Sequence, residues 1–126
     1  MAVNLYRVIL PVSDLNRAVE FYRELLGSDG RKVSPGRHYF DCGGTILACF
    51  DPRADGDAFD AKQNPGHIYF AVDDLEGAHE RAKRAGATSV DESIVEKPWG
   101  ERLFYVRDPF GNPLCFVDES TVFTGE

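Results

Sequence analysis

At 126 residues, 43% of them hydrophobic, the chain can fill one packed domain or two very small halves sharing a core. A formal net charge of −7, with no run of Lys or Arg, weighs against nucleic acid, because phosphate binding needs clustered cations. No apolar run approaches the roughly 20 residues that span a bilayer, and MAVNLYRVILPVSDL enters strand-and-helix patterning at once, so the expected address is the cytoplasm. The three cysteines, Cys42, Cys49 and Cys115, are odd in number and lack CxxC spacing, which reads as reduced thiols and not as a disulfide framework or zinc knuckle.

The first expected element is a strand over 7–12, RVILPV. A helix follows, N-capped by Asp14 or Ser13, with Leu15, Ala18, Val19, Tyr22, Leu25 and Leu26 making one apolar stripe and Gly27 at its stop. Short strands are expected over 31–34, 37–42 and 45–50, the last two joined by the Gly43-Gly44 turn. Residues 51–66 are polar and rich in Asp, Pro and Gly, which reads as a linker; its DGD lacks the rest of a calcium loop. A second strand–helix pair then begins at 67–72, HIYFAV, with Asp73 and Glu76 in capping-box spacing and Gly86 at the helix stop. Strands over 89–95, 102–107 and 113–118 complete the chain, the last two joined by the turn DPFGN.

The second half echoes the first at an offset of 60: Val12 meets Val72, Asp14 meets Asp74, Leu15 meets Leu75, Ala18 meets Ala78 and Glu20 meets Glu80. The expected fold class is therefore α+β, a βαβββ module used twice. The modules cover approximately 1–52 and 66–126, joined by a linker over 53–65. Helices are expected on one face of each sheet, leaving the other face to be covered or to form a cavity.

The strand-VxDL-helix opening and the DPxGN turn before the last strand, in VSDLNRAVEFYRELLG, GHIYFAVDDLEGAHERA and PWGERLFYVRDPFGNPLCFVDE, resemble the vicinal oxygen chelate superfamily. That group includes glyoxalase I, extradiol dioxygenases and bleomycin-resistance proteins. The resemblance implies a curved mixed sheet with a cup-shaped cavity. In the family's metalloenzymes, ligands on the first and last strand of each module hold a divalent metal there. Mapped onto this chain, those four positions read Arg7, Ala48, His67 and Cys115. Only His67 is a usual ligand, with Cys115 as one possible thiolate, since a guanidinium has no lone pair to offer a cation. No cofactor is expected, with a divalent metal as the less favoured case.

Strand alternation suggests what the cup holds instead. Arg7, His67, Tyr69 and Arg102 are expected as polar anchors, with Phe50, Trp99, Phe104 and Cys115 among the walls, Arg102, Phe104 and Val106 being taken as one cup-facing row. Such a pocket favours an anionic or aromatic organic ligand. Each residue also has a structural reading: Arg7 paired with an acid, Arg102 solvated, Trp99 in packing, Cys115 as a small buried hydrophobe. A reactive Cys115 would need a nearby cation such as Arg7. His79 falls on the helix stripe and is expected to pack, and the facing of His38 is open. The sequence therefore points to a metal-free small-molecule-binding protein, a homodimer with or without modules exchanged between subunits. The alternative is a metal-dependent lyase, isomerase or dioxygenase using His67.

Overall fold

The computed structural model describes residues 1–125, and its elements fall in the order β1 (Arg7–Pro11), α1 (Leu15–Leu26), β2 (Arg31–Ser34), β3 (Arg37–Cys42) and β4 (Thr45–Phe50), then β5 (Ile68–Val72), α2 (Leu75–Arg84), β6 (Ser89–Val90), β7 (Val95–Glu96), β8 (Arg102–Arg107) and β9 (Pro113–Asp118). A single 3-10 turn, Glu119–Thr121, follows. The fold is α+β, βαβββ twice. The first sheet runs β1-β4-β3-β2 and the second β5-β9-β8-β6, with β7 also on β8. In both, the first strand lies parallel to the last, and the remaining pairs are antiparallel.

Local chemistry explains the boundaries. Asp14 caps α1 by accepting from the Arg17 N–H, and Gly27 ends it in the left-handed region at φ +67°. The second helix is capped by Asp74, which accepts from the Gly77 N–H at 2.9 Å, and not by the expected Asp73. The strand expected over 89–95 is broken in two. Asp91 Oδ2 takes the Tyr105 N–H at 3.0 Å, so a side chain replaces the next ladder bond and the backbone leaves β8 before rejoining it at Val95.

The main core is common to both modules. Leu10, Phe21, Tyr22, Phe40 and Leu47 of the first half pack in one cluster with Leu75, Ala78, Phe104, Leu114 and Phe116 of the second. The helices touch: Arg84 pairs with Glu24, its own counterpart at the offset of 60, and Arg81 Nε donates to the Leu25 carbonyl. The modules are thus related by an approximate two-fold axis passing between α1 and α2.

One polar joint crosses between the modules. Asp108 and Asn112, both fully buried, open and close the β8–β9 turn. Asp108 Oδ1 accepts the Phe110 and Asn112 N–H groups, while Oδ2 accepts Tyr22 OH at 2.7 Å and Asn112 Nδ2 at 2.9 Å. Asn112 Nδ2 also donates to Pro11 O at 2.7 Å, and its Oδ1 accepts the Asn64 N–H at the end of the linker. The earlier part of the linker is held to the first module: the Asp55 carboxylate accepts from Ser34 Oγ and the Gly36 N–H, and the Phe59 ring centroid lies 6.5 Å from that of Phe50. Replacing Asn112 by Ala strands the Asn64 N–H and Pro11 carbonyl, and is expected to cost about 2–4 kcal/mol in urea unfolding, against about 1–2 for Tyr22→Phe. A loss under about 0.5 kcal/mol for Asn112→Ala would mean that the joint does not hold the modules together.

Candidate functional site

Each sheet has a helix face, buried in the common core, and an open face. Register decides which side chains share the open face, because residues directly opposite across a ladder point the same way. In the first sheet Ile9, Ala48 and Tyr39 are opposite one another. In the second the equivalent row is Tyr69, Cys115 and Tyr105. Cys115, Leu103 and Val117, with Tyr105 against them, form a small cluster separate from the main core.

This register corrects the expected row Arg102, Phe104, Val106. Phe104 is fully buried on the helix face, stacked 5.4 Å from Phe116 and 4.8 Å from His79. It is no wall of an open-face pocket, and Val106 belongs to the same core. Arg102 lies on that side as well, its NH2 3.2 Å from Glu76 Oε2 on α2 and its NH1 2.8 Å from Asp118 Oδ2. Those two acceptors hold it firmly protonated and turned from the open face. The parity reverses because Arg107 pairs with Pro113, which sets Tyr105, and neither Phe104 nor Val106, opposite Cys115.

On the first open face Arg7 is exposed and has tyrosine partners, not the acid that its structural reading supposes. NH1 donates to Tyr39 OH at 2.8 Å and NH2 to Tyr6 OH at 2.7 Å, with the guanidinium 5.6 Å from the Tyr39 ring centroid and 5.0 Å from that of Tyr6. Arg37 also donates to Tyr39 OH, at 3.3 Å, and lies 4.3 Å from the Phe50 ring centroid. Burial pushes the Tyr39 phenol up, but the hydrogen bonds from Arg37 and Arg7 outweigh it and bring the phenol below its ordinary range. The same bond to Tyr39, with lesser help from Tyr6, raises Arg7 further. This is an electropositive patch with aromatic sides.

On the second open face His67 is exposed just ahead of β5, its ring 5.0 Å from Tyr105 and 6.2 Å from Tyr69. Lys97 Nζ stands 5.3 Å from the Tyr105 centroid. Trp99, half exposed, donates from Nε1 to Glu101 Oε1 at 2.7 Å. Phe123 returns to this face, its N–H donating to Glu101 Oε2, so that Tyr69, Trp99, Val122 and Phe123 border a pocket of about 340 Å³. Cys115 is beneath the rings. Burial, then the nearby Glu101 and Asp91, push its thiol up to about 12, and Arg7 is not among the groups acting on it. His38 and His79 both face the core, their Nε2 atoms 2.9 Å from Asp29 O and 2.6 Å from Asp91 O.

A family profile described as the glyoxalase/bleomycin resistance protein/dioxygenase superfamily matches residues 4–116. The chain belongs to this superfamily. Among curated proteins it is similar to a lactoylglutathione lyase of Neisseria meningitidis, 27% identical over 94% of this chain and 93% of the relative. Among solved structures it is similar to a glyoxalase-related enzyme from Fulvimarina pelagi, with a TM-score of 0.75 at 20% identity, covering 91% of this chain and 87% of that one. It is also similar to a lactoylglutathione lyase from Agrobacterium tumefaciens, with a TM-score of 0.70 at 25% identity over 93% and 94% of the two chains.

The superfamily's metal positions can be tested by donor chemistry. Arg7 offers no lone pair and Ala48 has no donor, which leaves His67 and the buried Cys115 sulfur, two donors where such sites use three or more. Among the described residues no three His, Cys, Asp or Glu side chains come together as a metal site. These residues do not fit the superfamily's ion. The Arg7 and His67 groups also stay apart, joined by no hydrogen bond, ion pair or ring contact among the described residues. Tyr39 and Tyr105 are absent from the sequence-based site, although both were within reach: counting outward from the turns 43–44 and 108–112 places each opposite Ala48 or Cys115.

The protonated Cys115 yields a measurable expectation. Iodoacetamide at pH 8 should label it about 1,000-fold more slowly in the folded chain than in urea, since about three pKa units separate it from a free thiol. An unfolded thiol ionises near 9, so between about 9 and about 12 the native state binds the extra proton and stability falls as pH rises. Rapid labelling, or rising stability over that window, contradicts the assignment.

Proposed function

We propose that the chain binds a small organic anion with an aromatic or apolar body, without a metal, in a cavity closed by a second copy of itself. The observation that carries this reading is the pairing of Arg7 with two phenols and no carboxylate, which leaves its charge available to a ligand. Exposed aromatics favour closure by a partner surface: Tyr69 is 60% exposed, Tyr6 62% and Trp99 50%, all on or beside the open faces. In such a dimer the Arg7–Tyr39–Phe50 face of one copy meets the His67–Tyr69–Tyr105 face of the other. Arg7 anchors the anion, His67 donates or accepts one hydrogen bond, and the rings enclose the apolar part. No helix among the described residues is long and apolar enough to cross a membrane.

The likeness to lactoylglutathione lyases favours one second reading, a metal-dependent lyase, isomerase or dioxygenase using His67. Metal content of protein purified without chelator separates the two. Below about 0.2 ion per chain the lyase reading fails, since such chemistry needs a bound divalent ion to polarise substrate oxygens.

The binding reading is tested by Trp99 fluorescence during titration with phenylpyruvate, salicylate and a glycopeptide, alongside sedimentation. At least one ligand should change the signal of a dimer. Arg7→Ala should weaken it about 10-fold or more, the worth of a charge-assisted hydrogen bond, while Arg102→Ala leaves it within about two-fold. A flat signal across the panel, or equal binding by Arg7→Ala, removes the proposal.

A further inference from the structure

The two modules meet at two places related by the approximate two-fold axis, and only one of them is filled. At the first, Phe21 and Tyr22 of α1 pack edge to face at 4.8 Å, Tyr22 reaches Asp108, and Phe110 lies against the core. The duplicated counterparts differ. Across the offset of 60, Phe21 and Tyr22 correspond to Arg81 and Ala82. Aligning the β3–β4 turn with the β8–β9 turn, Asp41 corresponds to Asp108, and Gly43 to Phe110. Three aromatic rings are thus replaced by Arg, Ala and Gly.

At this second junction lies a half-open cavity of about 650 Å³. It lies between the helix face of the first sheet and the free edge of β5, with Val8, Leu25, Leu26, Phe40, Ile68 and Phe70 among its walls. The lining is mainly apolar. Two charged side chains border it, Asp41 and Arg81. One Asp41 oxygen is taken by the Gly44 N–H at 2.9 Å. Arg81 is fixed at the rim by its Nε bond to Leu25 O, and its two terminal nitrogens have no partner among the described residues. A volume in the range of small-molecule pockets, apolar walls and one anchored guanidinium with free donors suit a single chemistry.

We propose that this inter-module cavity, which shares the β5 edge residue Tyr69 with the second open face, is a second binding site for a monocarboxylic acid with a medium-length apolar tail. The tail lies along Val8, Phe40 and Phe70, and the carboxylate takes the free donors of Arg81. Val8 is the wall to alter, because it borders the cavity without belonging to the main core.

Calorimetric titration with decanoate and decan-1-ol tests this on the full chain. Decanoate should bind the wild type. Arg81→Met should weaken decanoate about 10-fold or more and decan-1-ol less than about two-fold, because only the acid loses a charge-assisted pair. Val8→Phe should abolish decan-1-ol binding and the Arg81-dependent decanoate binding while keeping the wild-type circular dichroism and melting temperature, and Arg7→Ala should leave these two unchanged. Absence of decanoate binding, or equal decanoate affinity in Val8→Phe, overturns the proposal. It is also overturned if wild-type dimers dissociate on Val8→Phe, for then a second copy occupies the cavity.

Discussion

The buried Asp108–Asn112 pair is the constraint on which the arrangement of this molecule depends. A carboxylate with no access to water must be fully hydrogen-bonded, and here it takes four donors, three from its own turn and one from Tyr22 of the other module. Meeting that requirement brings α1 of the first half against the β8–β9 turn of the second. Asn112 does the same with Pro11 and Asn64, so one turn fixes a strand, a helix and the linker. The common apolar core supplies most of the favourable burial, but apolar contact is non-directional, and this joint gives it an orientation.

That orientation leaves two open faces with different chemistry. The first is cationic and carries two phenols. The second has an imidazole, two tyrosines and a buried neutral thiol. The superfamily's ion requires several lone-pair donors converging on one point. Here one of those positions holds a guanidinium and another a methyl group, so that at most two donors remain, His67 and a buried sulfur. Where the superfamily places a ligand for a cation, Arg7 places a cation with no carboxylate partner, and the proposed anion binding rests on that difference.

The duplication, both helices and the order of elements along the chain were legible because periodicity, caps and turns are local signals. His79 could be placed from its slot on the α2 stripe. What misled was parity. Phe104 was read into the pocket because strand alternation gives two faces without saying which is which, and the one-residue choice reversed every side chain of β8. The turn 108–112 held the answer, since its closing pair sets Tyr105 opposite Cys115. Arg102 was misread for the same reason, and its partners Glu76 and Asp118 are distant in sequence. The contacts that join the modules, Tyr22 to Asp108 and Arg84 to Glu24, span 86 and 60 residues and left no local trace.

The cross-module joint also governs how the chain could share its halves with another copy. A pair of chains with exchanged modules must remake the Tyr22–Asp108 and Asn112–Pro11 bonds between molecules, and reaching that state from a folded monomer means first opening the common core. The barrier is then close to that of global unfolding, so the form populated when the chain first folds would persist, and mixed subunits would exchange on the timescale of unfolding and not of diffusion. A few buried hydrogen bonds thereby turn a choice of assembly into a matter of history.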